Sequence, residues 1–188
     1  MKKFKVLALT IFLTPILAGL YGILHDQFTY TISHEYFTKF KFLQFGLVNH
    51  GKLVLPSARL AVAVVGFLAT WWTGIFVGIG HALVGLIHQD AKAMGRAISK
   101  AILITIAITA ITGLIGLAYG GFYLANTGVN WLLPDNLIDK KHFIMVGSMH
   151  NFSYMGGAIG LISGIIYQIV IAGKIKKIFP AISSINHR

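Results

Sequence analysis

Four apolar runs, Val6 to Leu24, Leu60 to Ile87, Ala101 to Leu124 and Ile144 to Ala172, leave this chain few ways to fold. Each reaches the roughly 20 residues that a helix needs to cross a hydrocarbon core about 30 Å thick, and the second and fourth are long enough to tilt. Peptide groups cannot stay unpaired in lipid, and no ten-residue alternation of polar and apolar residues suggests a barrel, so the runs predict helices. The composition agrees: 56% of residues are apolar and 11% charged, and the mean hydropathy of +0.76 is a value that water-soluble domains rarely reach. The expected fold is therefore an all-α membrane protein, a single integral membrane domain over residues 1–188 forming a four-transmembrane-helix bundle with an aromatic extracytoplasmic loop.

Sixteen Lys and Arg against five acidic residues give a formal net charge of +11. The basic residues fall mostly beside the apolar runs, where they bind lipid headgroups and fix orientation, so the expected partner is the lipid bilayer and not nucleic acid. Lys2, Lys3, Lys5, Lys92, Arg96, Lys100, Lys174, Lys176, Lys177 and Arg188 collect on one side of the four runs, and Lys39, Lys41, Lys52, Arg59, Lys140 and Lys141 on the other. That bias predicts N-in, C-in insertion in a cell inner membrane. The start of the chain reads as an uncleaved first span, since Leu17-Ala18-Gly19 is the nearest approach to a cleavage site before His25. Cysteine is absent, which removes iron–sulfur and thiolate chemistry and leaves His, Asp, Glu and Tyr as possible ligands.

Small residues allow helices to approach closely in lipid, so glycine spacing marks the contact faces. Gly74, Gly78, His81, Gly85 and His88 form one stripe at helical spacing, and His150, Ser153, Gly157, Gly160 and Gly164 form another, with Gly156 beside it; the third run contributes Gly113, Gly116 and Gly120. The histidines on these stripes should face protein, His81 hydrogen-bonded to a neighbouring helix and His88 solvated at the inner interface. Phe28, Tyr30, Tyr36, Phe37, Phe40, Phe42 and Phe45 crowd the first outer connection and are expected to lie in the headgroup interface.

Groups with chemical potential gather at the outer end: Tyr21, His25, Asp26 and Glu35 follow or close the first run, and His150 and Tyr154 open the fourth. Tyr21 and His25 are one turn apart and can share a face. Imidazoles and carboxylates here suit a transition metal, two imidazoles suit a haem iron, and His, Asp and Tyr suit a quinone. The spacing matches no paired di-iron motif, and caps plus an anchor for the aromatic loop account for His25, Asp26 and Glu35 at least as well. His81 and His150, at opposite ends of their helices, lie too far apart to share an ion.

The stretch His25-Asp26-Gln27-Phe28-Thr29-Tyr30-Thr31-Ile32-Ser33-His34-Glu35-Tyr36-Phe37 resembles a string found in a family of small, uncharacterised bacterial multi-span membrane proteins. The resemblance covers these thirteen residues and implies a bacterial inner membrane, with no activity attached. The functional expectation is a metal-, haem- or quinone-dependent redox site at the outer end, with His25 and His150 binding the cofactor, His25, Asp26, Glu35 and His150 as metal ligands or proton-transfer groups, and Tyr21 and Tyr154 orienting them. The competing expectation is a non-catalytic accessory subunit or assembly factor whose glycine seams bind other membrane subunits or a second copy. A transporter ranks third, since internal repeats and paired broken helices are missing.

The orientation is directly testable. Reporter fusions within Lys92 to Lys100 and after Lys177 should be cytoplasmic, and fusions near Lys39 or Asn136 external; an external C-terminus would overturn the span count or the charge reading.

Overall fold

The structure, a computed structural model, describes the backbone of residues 2–185 and the side chains of residues 2–173. Lys174, Lys176, Lys177 and Arg188, which carry part of the orientation argument, lie outside the described side chains. Four long helices dominate: α1 (Lys3–Ile32), α2 (Ala58–Gly85), α3 (Ala91–Tyr119) and α4 (Lys140–Ile185). All four are long and apolar enough to cross a membrane, α3 being prolonged through a π-helical turn at Gly120–Leu124 to Thr127.

The ends of these helices follow from local chemistry. Ser33 leaves the helical region and its hydroxyl accepts from Tyr36 N at 3.3 Å, which closes α1 and starts the next turn. Ser57, just after Pro56, caps α2 by accepting from Leu60 N. Asp90 caps α3 by accepting from Lys92 N at 2.8 Å and Ala93 N at 2.9 Å, and these amides hold its carboxyl below the usual range. Asp139 accepts from His142 N at the start of α4. Helix α1 runs unbroken through Pro15.

The first helix extends eight residues past the predicted end at Leu24, and that difference matters most. His25 and Asp26 interrupt the apolar run without interrupting the helix, because their polar atoms find partners inside the protein. Helix α3 likewise starts at Ala91, so Lys92, Arg96 and Lys100 stand on its first turns and not in a loop.

The helices associate as two pairs, α1 with α2 and α3 with α4. Glycines set both seams. Gly22 and Gly66 meet backbone to backbone, and a Cβ on either would collide with the other's carbonyl. Gly74 lies against Pro15 and Thr14, Gly116 against Phe152 and Ser148, and Gly160 against the Thr105 backbone, where an added Cβ would sit 2.8 Å from Cα. Gly156, and not Gly157, packs into the α3 seam; a Cβ on Gly157 would meet nothing nearer than Thr109 Oγ1 at 3.9 Å.

The two pairs touch mainly near their ends. At the Asp26 end, Tyr30, Tyr36, Phe37, Phe42, Val62, Val65, Phe143 and Val146 form one buried cluster, so half of the aromatic connection is core and not an interfacial cap. At the other end Val6, Ala91, Met94 and Ile98 form a second. Between the clusters lies a cavity of about 360 Å3 bordered by all four helices. The rest of the connection folds into a small hairpin, Val48–Asn49 with Lys52–Leu53, turned by His50 and Gly51 at φ 48° and 74°.

His81 behaves as expected for a packed polar group. Thr105 Oγ1 donates to Ala101 O, so it accepts from His81 Nε2 at 3.0 Å, and His81 Nδ1 accepts from Gln168 Nε2 at 3.1 Å. His88 does not: it is 2% exposed, neither ring nitrogen has a partner among the described residues, and burial lowers its pKa.

These seams predict opposite responses to bulk. Gly160→Leu and Gly66→Ala should each destabilise the detergent-solubilised protein by about 1–3 kcal/mol through overpacking. Gly95→Ala, on a helical site whose Cβ meets only Val6 at 4.0 Å, should be neutral or stabilising by up to about 1 kcal/mol. Thermal melts of the three variants check this.

Candidate metal centre

Helix α1 supplies His25 and Asp26 on adjacent positions, and α4 supplies His150 and Ser153 three residues apart. Asp26 is 3% exposed and stands between the two imidazoles. Its Oδ1 is 3.0 Å from His25 Nδ1 and 3.0 Å from His150 Nε2, while Oδ2 is buried with no partner among the described residues. The imidazoles meet edge to face with centroids 4.6 Å apart.

The outer nitrogens of both rings are held as well. Ser153 Oγ lies 3.2 Å from His25 Nε2, and His150 Nδ1 is 2.9 Å from the Val146 carbonyl oxygen. A carbonyl oxygen only accepts, so Nδ1 of His150 carries the hydrogen. In a neutral imidazole Nε2 then presents a lone pair to the Asp26 carboxylate at 3.0 Å. Two lone pairs cannot face each other at that distance in a buried site; a proton or a metal cation must lie between them.

One ligand atom each from His25, Asp26 and His150 falls within 4.8 Å of the other two. Two imidazoles and a carboxylate form a donor set suited to iron, copper or zinc. Ser153 and Val146 supply the outer-sphere hydrogen bonds that ligating histidines require. No family model, curated protein or solved structure matches the chain, so this donor set is read from its own geometry alone.

Of the six residues singled out from sequence, the structure brings four together. Tyr21 packs beside His25, ring centroids 5.9 Å apart, where it can orient the imidazole. Tyr154 borders the same cavity but donates to Ala69 O at 3.2 Å, so it ties α4 to α2 and does not orient a ligand. Glu35 stands outside this donor set: it pairs with Lys39 and accepts from Ile138 N at 3.1 Å and Asp139 N at 2.7 Å, clamping the connection into α4.

The sequence reading missed the groups that wall the site. The Tyr36 ring lies 4.8 Å from His150, and burial raises its phenol pKa. Lys41 is 7% exposed, its Nζ donating to Gln44 Oε1 and lying 5.2 Å from the Phe40 ring centre. Burial lowers its pKa, opposed by the negative charge of Asp26. A π-helical turn over Phe37–Lys41 carries both the fully buried Phe37 and Lys41, and such turns recur at functional sites. Periodicity could not have marked it, because the extra residue per turn leaves no pattern in five residues.

Glu35 gives this end a pH signature. The Lys39 ammonium and the two amides lower its pKa from 4.5 to about 2. A depressed carboxyl stabilises fully above its ordinary pKa, so the clamp should hold above pH 4.5 and be lost as pH falls through about 2. Trp131, packed near Gly147 in the same connection, should report the release by fluorescence. Glu35→Gln should accelerate amide exchange at Ile138 and Asp139 several-fold at neutral pH; unchanged exchange in that variant would mean that Glu35 does not hold this connection.

Proposed function

We propose that this chain is a multi-pass membrane protein of a bacterial inner membrane, N-in and C-in, that binds a redox-active transition metal through His25, Asp26 and His150. The observation that carries this reading is the buried contact between His150 Nε2 and Asp26 Oδ1 at 3.0 Å, with Nδ1 committed to Val146. A metal ion satisfies that contact, takes up the unpartnered Asp26 Oδ2, and leaves the hydrogen bonds of Ser153 and Val146 as they stand. With three protein ligands, coordination positions remain open toward the cavity that His25, Asp26 and His150 border. The two-histidine, one-carboxylate set is the pattern of non-haem iron sites, so iron is the favoured metal.

Haem fits the site poorly. A bis-histidine haem needs its porphyrin between the two imidazoles, and these rings stand 4.6 Å apart with a carboxylate bonded to both. The accessory-subunit reading relied on glycine seams free to bind another protein, whereas Gly66, Gly74, Gly116 and Gly160 are occupied within the chain.

Purified wild-type protein should retain stoichiometric metal through size exclusion, as measured by elemental analysis. His150→Ala and His25→Ala should lose it while remaining in the membrane, and His88→Ala should keep it. Ser153→Ala, which removes the outer partner of His25, should weaken metal affinity by ~10–100-fold. A wild-type protein that takes up no iron, copper or zinc after metal loading would mean that a proton fills the contact, and the redox reading would fall.

A further inference from the structure

The cavity beside the proposed centre has two unlike ends. At one end it is bordered by His25, Asp26, Ser153 and Tyr21; from there it runs to Thr14 on α1. Twelve residues of helix separate Asp26 from Thr14, which is about 18 Å along the axis. Most of the wall is aliphatic or aromatic, and the threonines on it spend their hydroxyl hydrogens on backbone carbonyls: Thr70 donates to Ala18 O or Gly66 O, Thr73 to Thr70 O and Thr109 to Thr105 O. Phe76, 65% exposed, and Trp72, 46% exposed, border the cavity and also face outward, so it communicates with the apolar flank of the bundle. A volume of about 360 Å3 is at the lower end of the range for small-molecule sites.

We infer that this cavity binds a lipid-soluble quinone or quinol, its ring at the His25–Ser153 layer and its tail leaving across the exposed Trp72–Phe76 pair on the apolar flank. The choice of a redox-active head rests on the metal reading; the shape and polarity of the occupant do not. Three observations select it. Entry is from an apolar flank, so the occupant partitions from lipid. The polar end offers the hydroxyls of Ser153 and Tyr21, suited to a neutral carbonyl or phenol. Among the described residues that border the cavity there is no cation for a phosphate: Lys41, close enough to feel Asp26, is spent on Gln44 and the surrounding rings, and Asp26 adds a negative charge that repels an anionic headgroup. A phospholipid could thread an acyl chain into the apolar part, but its head finds no partner at the other end.

Gly157 gives a clean test, because it borders the cavity and its Cβ direction is open. Decylubiquinone titrated into the detergent-solubilised protein should quench tryptophan fluorescence saturably, and Trp72→Phe should remove most of the quench. Gly157→Phe fills the cavity and should weaken decylubiquinone binding at least tenfold, with metal content unchanged. A lysophospholipid with a decanoyl chain, which has a tail of the same length and no ring, should not compete. Ala158→Phe, also on the cavity wall, supplies the same bulk if Gly157→Phe does not fold. Saturable quenching that survives both substitutions, no quenching in metal-loaded wild type, or equal competition by the lysophospholipid would overturn the assignment. Quinone binding by a protein that takes up no metal would support the cavity assignment and overturn the metal centre instead.

Discussion

A carboxylate buried between two imidazoles is the interaction on which this structure depends. Placing one charge in a low-dielectric interior costs several kcal/mol, and the cost is met only when its oxygens are bonded and a positive charge lies near. Asp26 obtains one imidazole from its own helix and one from α4, so the same contact that makes the charge tolerable also links the α1/α2 pair to the α3/α4 pair. The aromatic connection completes the arrangement, with Tyr36 and Phe37 packed against His150. Removing either imidazole would leave Asp26 partly stranded, and losses of that kind run to ~3–5 kcal/mol in buried pairs.

The rest of the architecture works around that link. Glycine seams bring α1 to α2 and α3 to α4 at backbone distance, which makes each pair rigid, while the pairs themselves are joined by buried clusters at the two ends. Space is left where neither seam nor cluster reaches, and it opens beside the only buried acid among the described residues. Ser153 to His25, Tyr154 to Ala69, and His81 to Thr105 and Gln168 are further side-chain ties across the gap. A frame of two packed pairs around an apolar cavity, with His25, Asp26 and His150 at one end, is the arrangement that the proposed redox site requires.

Much of this was legible in the chain. Hydropathy located all four helices, and the glycine stripes located Gly74, Gly116 and Gly160 on contact faces and His81 among partners. His25, Asp26 and His150 stood out because polar groups are few. The errors share a cause: a run of letters does not show which polar groups are paired. His25 and Asp26 looked like the end of a span because an unpaired aspartate would end one, and only the partner 124 positions away makes the helix continue. Glu35 was an expected ligand, yet it pairs with Lys39 one turn on and with two amides more than one hundred positions downstream. Gly156 and Gly157 differ by 100° around a helix, and their neighbours alone decide which packs and which faces the cavity.

What occupies the space between His150 Nε2 and Asp26 Oδ1 decides whether His25, Asp26 and His150 hold a metal. X-ray absorption at the metal edge of the iron-loaded membrane protein reads that space directly. Two imidazole nitrogens and a carboxylate oxygen bound directly to the iron, with imidazole multiple scattering that vanishes in His150→Ala, are the predicted result. A shell of oxygen scatterers without imidazole, unchanged by that substitution, would place the metal elsewhere and contradict it.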